Sequence, residues 1–151
     1  MKGDRGSRAG RVLGLDLGDA RIGVAISDDD RRVAVPVGTV RTGAPQDLKA
    51  ISALVGDHAA TLVVVGHPVA MSGEAGTRAH AAEEFAGALR SFLEVPVVLQ
   101  DERLSTVEAE RALRRGGATG RERRRAVDQA AATIILQAWL DAHAPAGGST
   151  G

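Results

Sequence analysis

The sequence predicts an α/β domain, a single mixed sheet with helices on its faces, and three observations carry that prediction. Two apolar runs, Arg11–Leu17 and Arg21–Ser27, are separated only by Gly18-Asp19-Ala20, a link short enough to impose an antiparallel hairpin. Two later apolar runs are each reached through a stretch of helical periodicity, and such crossovers return a strand parallel to the first. One of those runs, Thr61–Gly66 (TLVVVG), lacks polar alternation, as expected of a strand covered on both faces. An all-parallel doubly wound sheet does not accommodate the tight first hairpin.

The elements follow in order. RVLGLDL, Arg11 to Leu17, is a buried strand that ends at Gly18, and RIGVAIS, Arg21 to Ser27, is its hairpin partner. Asp28-Asp29-Asp30 is a solvated turn. Val33–Val40 is a third strand, placed at the sheet edge by Pro36, which cannot donate to a ladder. Pro45 opens a helix in which Leu48, Ile51, Leu54 and Val55 recur at helical spacing up to Gly56. After Thr61–Gly66 comes the loop GHPVAMSGEAG. A helix over about Thr77–Leu93 then gathers Ala82, Phe85, Ala86, Leu89, Phe92 and Leu93 on one face.

Val95–Gln100 is the last strand and runs straight into Asp101-Glu102-Arg103. Ser105 and Glu108 form a capping box for a helix that stops at Gly116-Gly117. A final helix from about Arg124 to His143 buries Val127, Ala131, Ile134, Ile135 and Ala138. The order is βββαβαβαα. Residues 11–143 form one domain, and residues 1–10 and 144–151 read as flexible tails.

Composition removes several function classes. The chain has 151 residues, enough for one core but too few for two full lobes enclosing a cleft. The absence of Cys removes disulfide scaffolds, thiolate zinc sites and Cys nucleophiles, and fits a cytoplasmic location. No apolar run approaches the roughly 20 residues that span a bilayer, so no membrane partner is expected. With Phe85, Phe92 and Trp139 as the only aromatics, all in helical patterns, there is no stacking platform for single-stranded bases. The His residues are scattered, without the i, i+4 spacing of a helical zinc site, so a metal here would be a hard cation held by oxygen. The net charge of zero hides a patch: Arg111 to Arg125 contains seven Arg and one Glu, a local net of +6.

Three acids carry the chemistry. Asp16 sits inside an otherwise apolar strand, where an unpaired carboxylate is costly. It has two readings: a structural ion pair with Arg21 across the hairpin, or an acid facing a ligand in space cleared by Gly14, Gly18 and Gly23. Glu102 lies at the carboxyl end of the last strand, where ligand sites of open α/β sheets gather. Strand alternation allows only one of Asp101 and Glu102 to face that site. Asp128, in the first turn of the final helix, is either an ordinary helix-start acid or a ligand at the rim of the core. If the three meet, their repulsion calls for a cation, and Mg²⁺ or Mn²⁺ suits an all-oxygen site. Two such ions can activate water and stabilise the leaving oxygen of a phosphodiester, with the Arg-rich segment holding the polyanion.

The chain resembles the YqgF family of pre-16S rRNA nucleases, also described as Holliday-junction-resolvase-like. The resemblance spans about Val12 to Leu140 and rests on DLGDARIGVA, GHPVAMSGEAG, DERLSTVEA and VDQAAATIILQAWL, in that order. It implies an RNase H-like fold with strand order 3-2-1-4-5 and the first three strands antiparallel. It further implies that Asp16, Glu102 and Asp128 are the catalytic and metal-binding acids, around two Mg²⁺ or Mn²⁺ ions. Arg103 is then a candidate for the scissile strand, and Arg21, Arg121, Arg123, Arg124 and Arg125 for the rest of the nucleic acid. The loop departs from the family's usual G-L-P-L-N-M-D-G, with His67, Ala70 and Ser72 standing where that pattern has Leu, Asn and Asp.

Four functions follow for comparison. The first is an endonuclease on structured RNA that processes the 5′ end of pre-16S rRNA, with ribosomal precursor particles as partners. The second is a resolvase of branched DNA, which would work as a dimer; no strong apolar stripe marks a permanent one, so a monomer or weak homodimer is expected. The third is a sugar-kinase or actin-like ATPase, which shares a D-x-G turn but needs two lobes. The fourth is a non-catalytic nucleic-acid-binding module, against which the presence of all three acids weighs.

Overall fold

β1 (Arg11–Leu17) is the strand around which the domain is built. The computed structural model describes residues 10–68, 74–102 and 121–144. β1 pairs antiparallel with β2 (Arg21–Ser27) and parallel with β4 (Ala60–His67). β3 (Ala34–Arg41) adds antiparallel to β2, and β5 (Val97–Asp101) adds parallel to β4. The sheet order is therefore β3-β2-β1-β4-β5. α1 (Gln46–His58) and α2 (Glu74–Phe92) link the last three strands, and α3 (Arg121–Ala142) closes the described chain.

Strand alternation divides the side chains of β1 between two cores. Leu13 and Leu15, with Ile22, Val24, Val63 and Val65, face Ile51 of α1 and Ala82, Ala86 and Leu89 of α2. Val12, with Ala25, Leu62 and Val64, faces Ala131, Ala132, Ile135, Leu136, Trp139 and Leu140 of α3. Each fully buried Leu or Ile contributes about 1.5–3 kcal/mol, so both faces must be covered. That is why β1 and β4 read as continuous apolar runs. β3, carrying Pro36, is one edge strand and β5 the other.

α3 lies close against the sheet because Gly14 lets it: a Cβ built there would sit 2.7 Å from Leu136 Cβ. The far end of the helix is tied to the amino-terminal side of the sheet. Gln137 accepts the Ala34 N–H at 2.9 Å and donates to the Arg32 carbonyl at 2.9 Å. Arg31 donates to the Gly10 carbonyl at 2.8 Å, and its guanidinium lies 5.7 Å from the centre of the Trp139 ring. α3 therefore runs antiparallel to β1, with its amino-terminal turns toward the carboxyl ends of β1 and β4.

The element order agrees with the sequence expectation, with shifted ends. β4 continues through His67, α2 starts at Glu74, and α3 takes in the Arg121–Arg125 run. The helix expected after Ser105 and nearly all of both tails lie outside the described residues. Among the described residues no helix is long and apolar enough to cross a membrane.

Candidate active site

Asp16 is on the α3 face of the sheet, in line with Val12 and Gly14, and is 4% exposed. Its partner on β2 is Gly23. On the other side Leu15 pairs with Val65, so the next step of the register sets Gly66 beside Asp16. The acid is thus flanked by glycine on both neighbouring strands, which leaves the space above them to other groups.

Glu102 occupies part of that space. It follows β5 directly and is 1% exposed. A Cβ built on Gly66 would lie 2.6 Å from Glu102 Oε2 and 2.6 Å from Ile135 Cδ1. The Glu102 carboxylate therefore rests over Gly66, between the sheet and α3. Asp16, at the neighbouring position of a strand about 4.8 Å away, shares that face. Asp101, in register with His67, falls on the opposite side. There the His67 Nε2 meets Glu83 Oε2 of α2 at 2.8 Å. Of the two adjacent acids, Glu102 is the one turned toward Asp16's face.

Gln100 was not anticipated from sequence. It pairs with Gly66, shares the face of Glu102 two residues on, and is 6% exposed. Its buried Nε2 has no hydrogen-bond acceptor. An orphaned buried donor costs about 1–3 kcal/mol, which marks the spot as one that an incoming acceptor completes. A polar residue on a strand gives no warning of this in sequence, because β5 looks like any half-buried strand.

Asp128 belongs to α3, seven residues before Ile135. Two helical turns place it on the Ile135 side, about 10 Å nearer the carboxyl ends of the strands. Its side chain lies outside the described residues, as do those of Arg121, Arg123, Arg124 and Arg125 and the whole of Arg103. Arg21 is half-buried on the α3 face, opposite Arg41. Among the described residues Arg21 makes no ion pair, so it is not the structural partner of Asp16 that the hairpin suggested. Two of the three glycines also serve packing rather than a ligand. Gly14 admits α3, and Gly18 closes the turn, its N–H donating to the Arg21 carbonyl at 2.9 Å.

The donor set fits a hard divalent cation. Asp16 and Glu102 supply only carboxylate oxygens, on one buried face of the sheet. Among the described residues no group of three His, Asp or Glu could hold a metal.

A mixed sheet of this order, covered by α1 and α2 on one face and by α3 on the other, defines a domain of the RNase H-like fold. The fold matches that of Thermus thermophilus RuvC, solved in complex with a Holliday junction substrate, with a TM-score of 0.51, 15% identity and coverage of 89% of this chain and 97% of that one. The chain belongs to the RuvX (YqgF) family, whose model, described as a Holliday junction resolvase, matches residues 10–142. A relative from Thermobifida fusca is 51% identical over 142 residues, covering 89% of each chain. Another, from Anaeromyxobacter dehalogenans (strain 2CP-C), is 48% identical over 136 residues, covering 89% of this chain and 99% of the relative. Both carry the name "Putative pre-16S rRNA nuclease". The protein is a nuclease of this family, and nucleases of this fold generally use divalent metals.

Proposed function

We propose that the protein is a metal-dependent endonuclease that cuts a phosphodiester of structured RNA, and that its task is maturation of the 5′ end of pre-16S rRNA. The observation that carries this reading is the convergence of two buried acids, Asp16 and Glu102, around the bare backbone of Gly66. The names of the relatives supply the substrate.

Asp16, Glu102 and, from the first turns of α3, Asp128 would hold one or two Mg²⁺ or Mn²⁺ ions. Such ions supply an activated water and charge neutralisation at the leaving oxygen. The chain's own part is positional. β1 and β5 set the two acids on one face, and Gly66 keeps the space between them clear. Gln100 offers a buried N–H donor to an oxygen that enters there. Arg21, Arg103 and the Arg121, Arg123, Arg124 and Arg125 cluster hold the backbone of the substrate. The protein acts in the cytoplasm on precursor particles, as a monomer or weak homodimer.

The test is incubation of purified protein with a pre-16S 5′ leader RNA and with a four-way DNA junction, each with Mg²⁺, Mn²⁺ or chelator. Divalent-dependent cutting of the RNA, lost in Asp16→Asn, is expected. Wild-type rates in that variant would end the assignment. The family description favours a second reading, resolution of branched DNA; cutting confined to the junction, by a protein dimeric on it, would establish that one instead.

A further inference from the structure

Arg21 and Arg41 stand directly opposite each other where β2 and β3 pair. Directly opposed residues of an antiparallel pair have Cβ atoms about 4.5–5.5 Å apart, and like charges there are destabilising. Such a pair is normally relieved by an acid. Among the described residues, neither arginine makes a salt bridge or side-chain hydrogen bond. The two line a cavity of about 370 Å³ together with Ala20 and Thr39.

The placement relative to the acids is fixed by the sheet. Thr39 pairs with Gly23, and Gly23 with Asp16, so these three form one row across the α3 face. Arg41 and Arg21 form the next row toward the hairpin end, on the same face. With strands about 4.8 Å apart and about 3.4 Å per residue, the Arg41 backbone lies about 12 Å from that of Asp16. That is too far to touch the bond being cut, and close enough to hold a neighbouring stretch of the same strand.

We propose that Arg21 and Arg41 form an anion subsite for a non-scissile phosphodiester, which guides the substrate strand over β2 and out across the β3 edge. The inference rests on the nuclease reading for the identity of its ligand. Two guanidinium groups around one concavity suit a phosphate with two free oxygens, each held by a fork of N–H donors. Phosphodiester chemistry is common to RNA and DNA, so the subsite does not choose between them. It sets instead which flank of the cut the protein grips on this side of the sheet.

The experiment measures binding of fluorescent pre-16S leader RNA, and separately of a four-way DNA junction, across a salt series. The proteins are wild type, Arg41→Gln, Arg21→Gln, the double variant and Arg41→Lys, with thermal melts as folding controls. Arg41→Gln is expected to weaken binding about 5- to 10-fold for every sequence and to reduce the salt slope by about 0.7–0.9. Arg41→Lys keeps the slope, and the double variant loses less than the product of the singles, since both cations serve one phosphate. A neutral methylphosphonate linkage, scanned along the RNA, abolishes the Arg41 effect at one position away from the cut. Unchanged affinity and slope in Arg41→Gln, beside a wild type that binds and cuts, overturns the subsite alone. A wild type that binds without cutting overturns the nuclease reading and leaves the subsite standing. A wild type that binds neither substrate overturns both.

Discussion

The Glu102 carboxylate rests on Gly66, its Oε2 only 2.6 Å from where a Cβ of residue 66 would be. The backbone of β4 is thus the floor on which one of the two buried acids is seated. Any side chain at this position lifts Glu102 away from Asp16 and presses on Ile135.

Gly66→Ala tests that seating. Both atoms in the way are the far ends of flexible side chains, so the fold is expected to survive at a cost of about 1–3 kcal/mol. Cleavage is expected to fall about 100-fold, since misplacement of a catalytic group by about 1 Å costs that much. Comparing urea denaturation with single-turnover cutting separates the two. Activity falling only in step with the folded fraction would show that Glu102 is not seated on Gly66 for chemistry.

Gly14→Ala is expected to behave the other way. The new methyl meets Leu136 Cβ, which is fixed to the helix backbone, so α3 must shift. A loss of about 1–3 kcal/mol is expected, less than additive with that of Leu136→Gly, the variant that removes the Cβ in the way. Trp139 is the only tryptophan and stacks on His143 with ring centres 4.1 Å apart, so its fluorescence reports docking of α3 directly. Additive losses in the double variant would refute the contact.

Asp16→Asn and Glu102→Gln are each expected to abolish cutting while substrate binding persists. Both acids are buried on one face, so an ion that they share should raise the melting temperature of wild type on addition of Mn²⁺ and leave both variants unmoved. An equal shift with Mn²⁺ in all three proteins would place the ion elsewhere.

The turn between β2 and β3 contributes to the loss of stability in acid. Burial pushes the Asp28 carboxyl up, but N–H donors from Val33 and Arg32, at 3.0 and 2.8 Å, outweigh it and hold the group below its usual 3.8. The unfolded chain binds this proton more readily. The contribution is therefore fully present above the unfolded value and is lost as pH falls through the folded one. Urea midpoints measured between pH 5 and 2 should fall less steeply for Asp28→Asn than for wild type. Parallel curves would remove Asp28 from the acid limb.

The features readable from the chain alone are local and periodic. The Gly18-Asp19-Ala20 link dictated the hairpin, Pro36 marked the edge, and the unbroken runs in β1 and β4 announced strands covered twice. Asp16 stood out as a candidate because a charge in an apolar run needs an explanation. Tertiary structure alone decided which acid of Asp101-Glu102 faces Asp16, since a strand's alternation has no absolute phase until its neighbours are in register. It also reassigned Gly14 from ligand space to helix packing, exposed the orphaned Gln100 amide, and brought Arg41 opposite Arg21. Each of these depends on pairing between residues far apart in the chain, and contacts across a sheet are set by register, which no local pattern encodes.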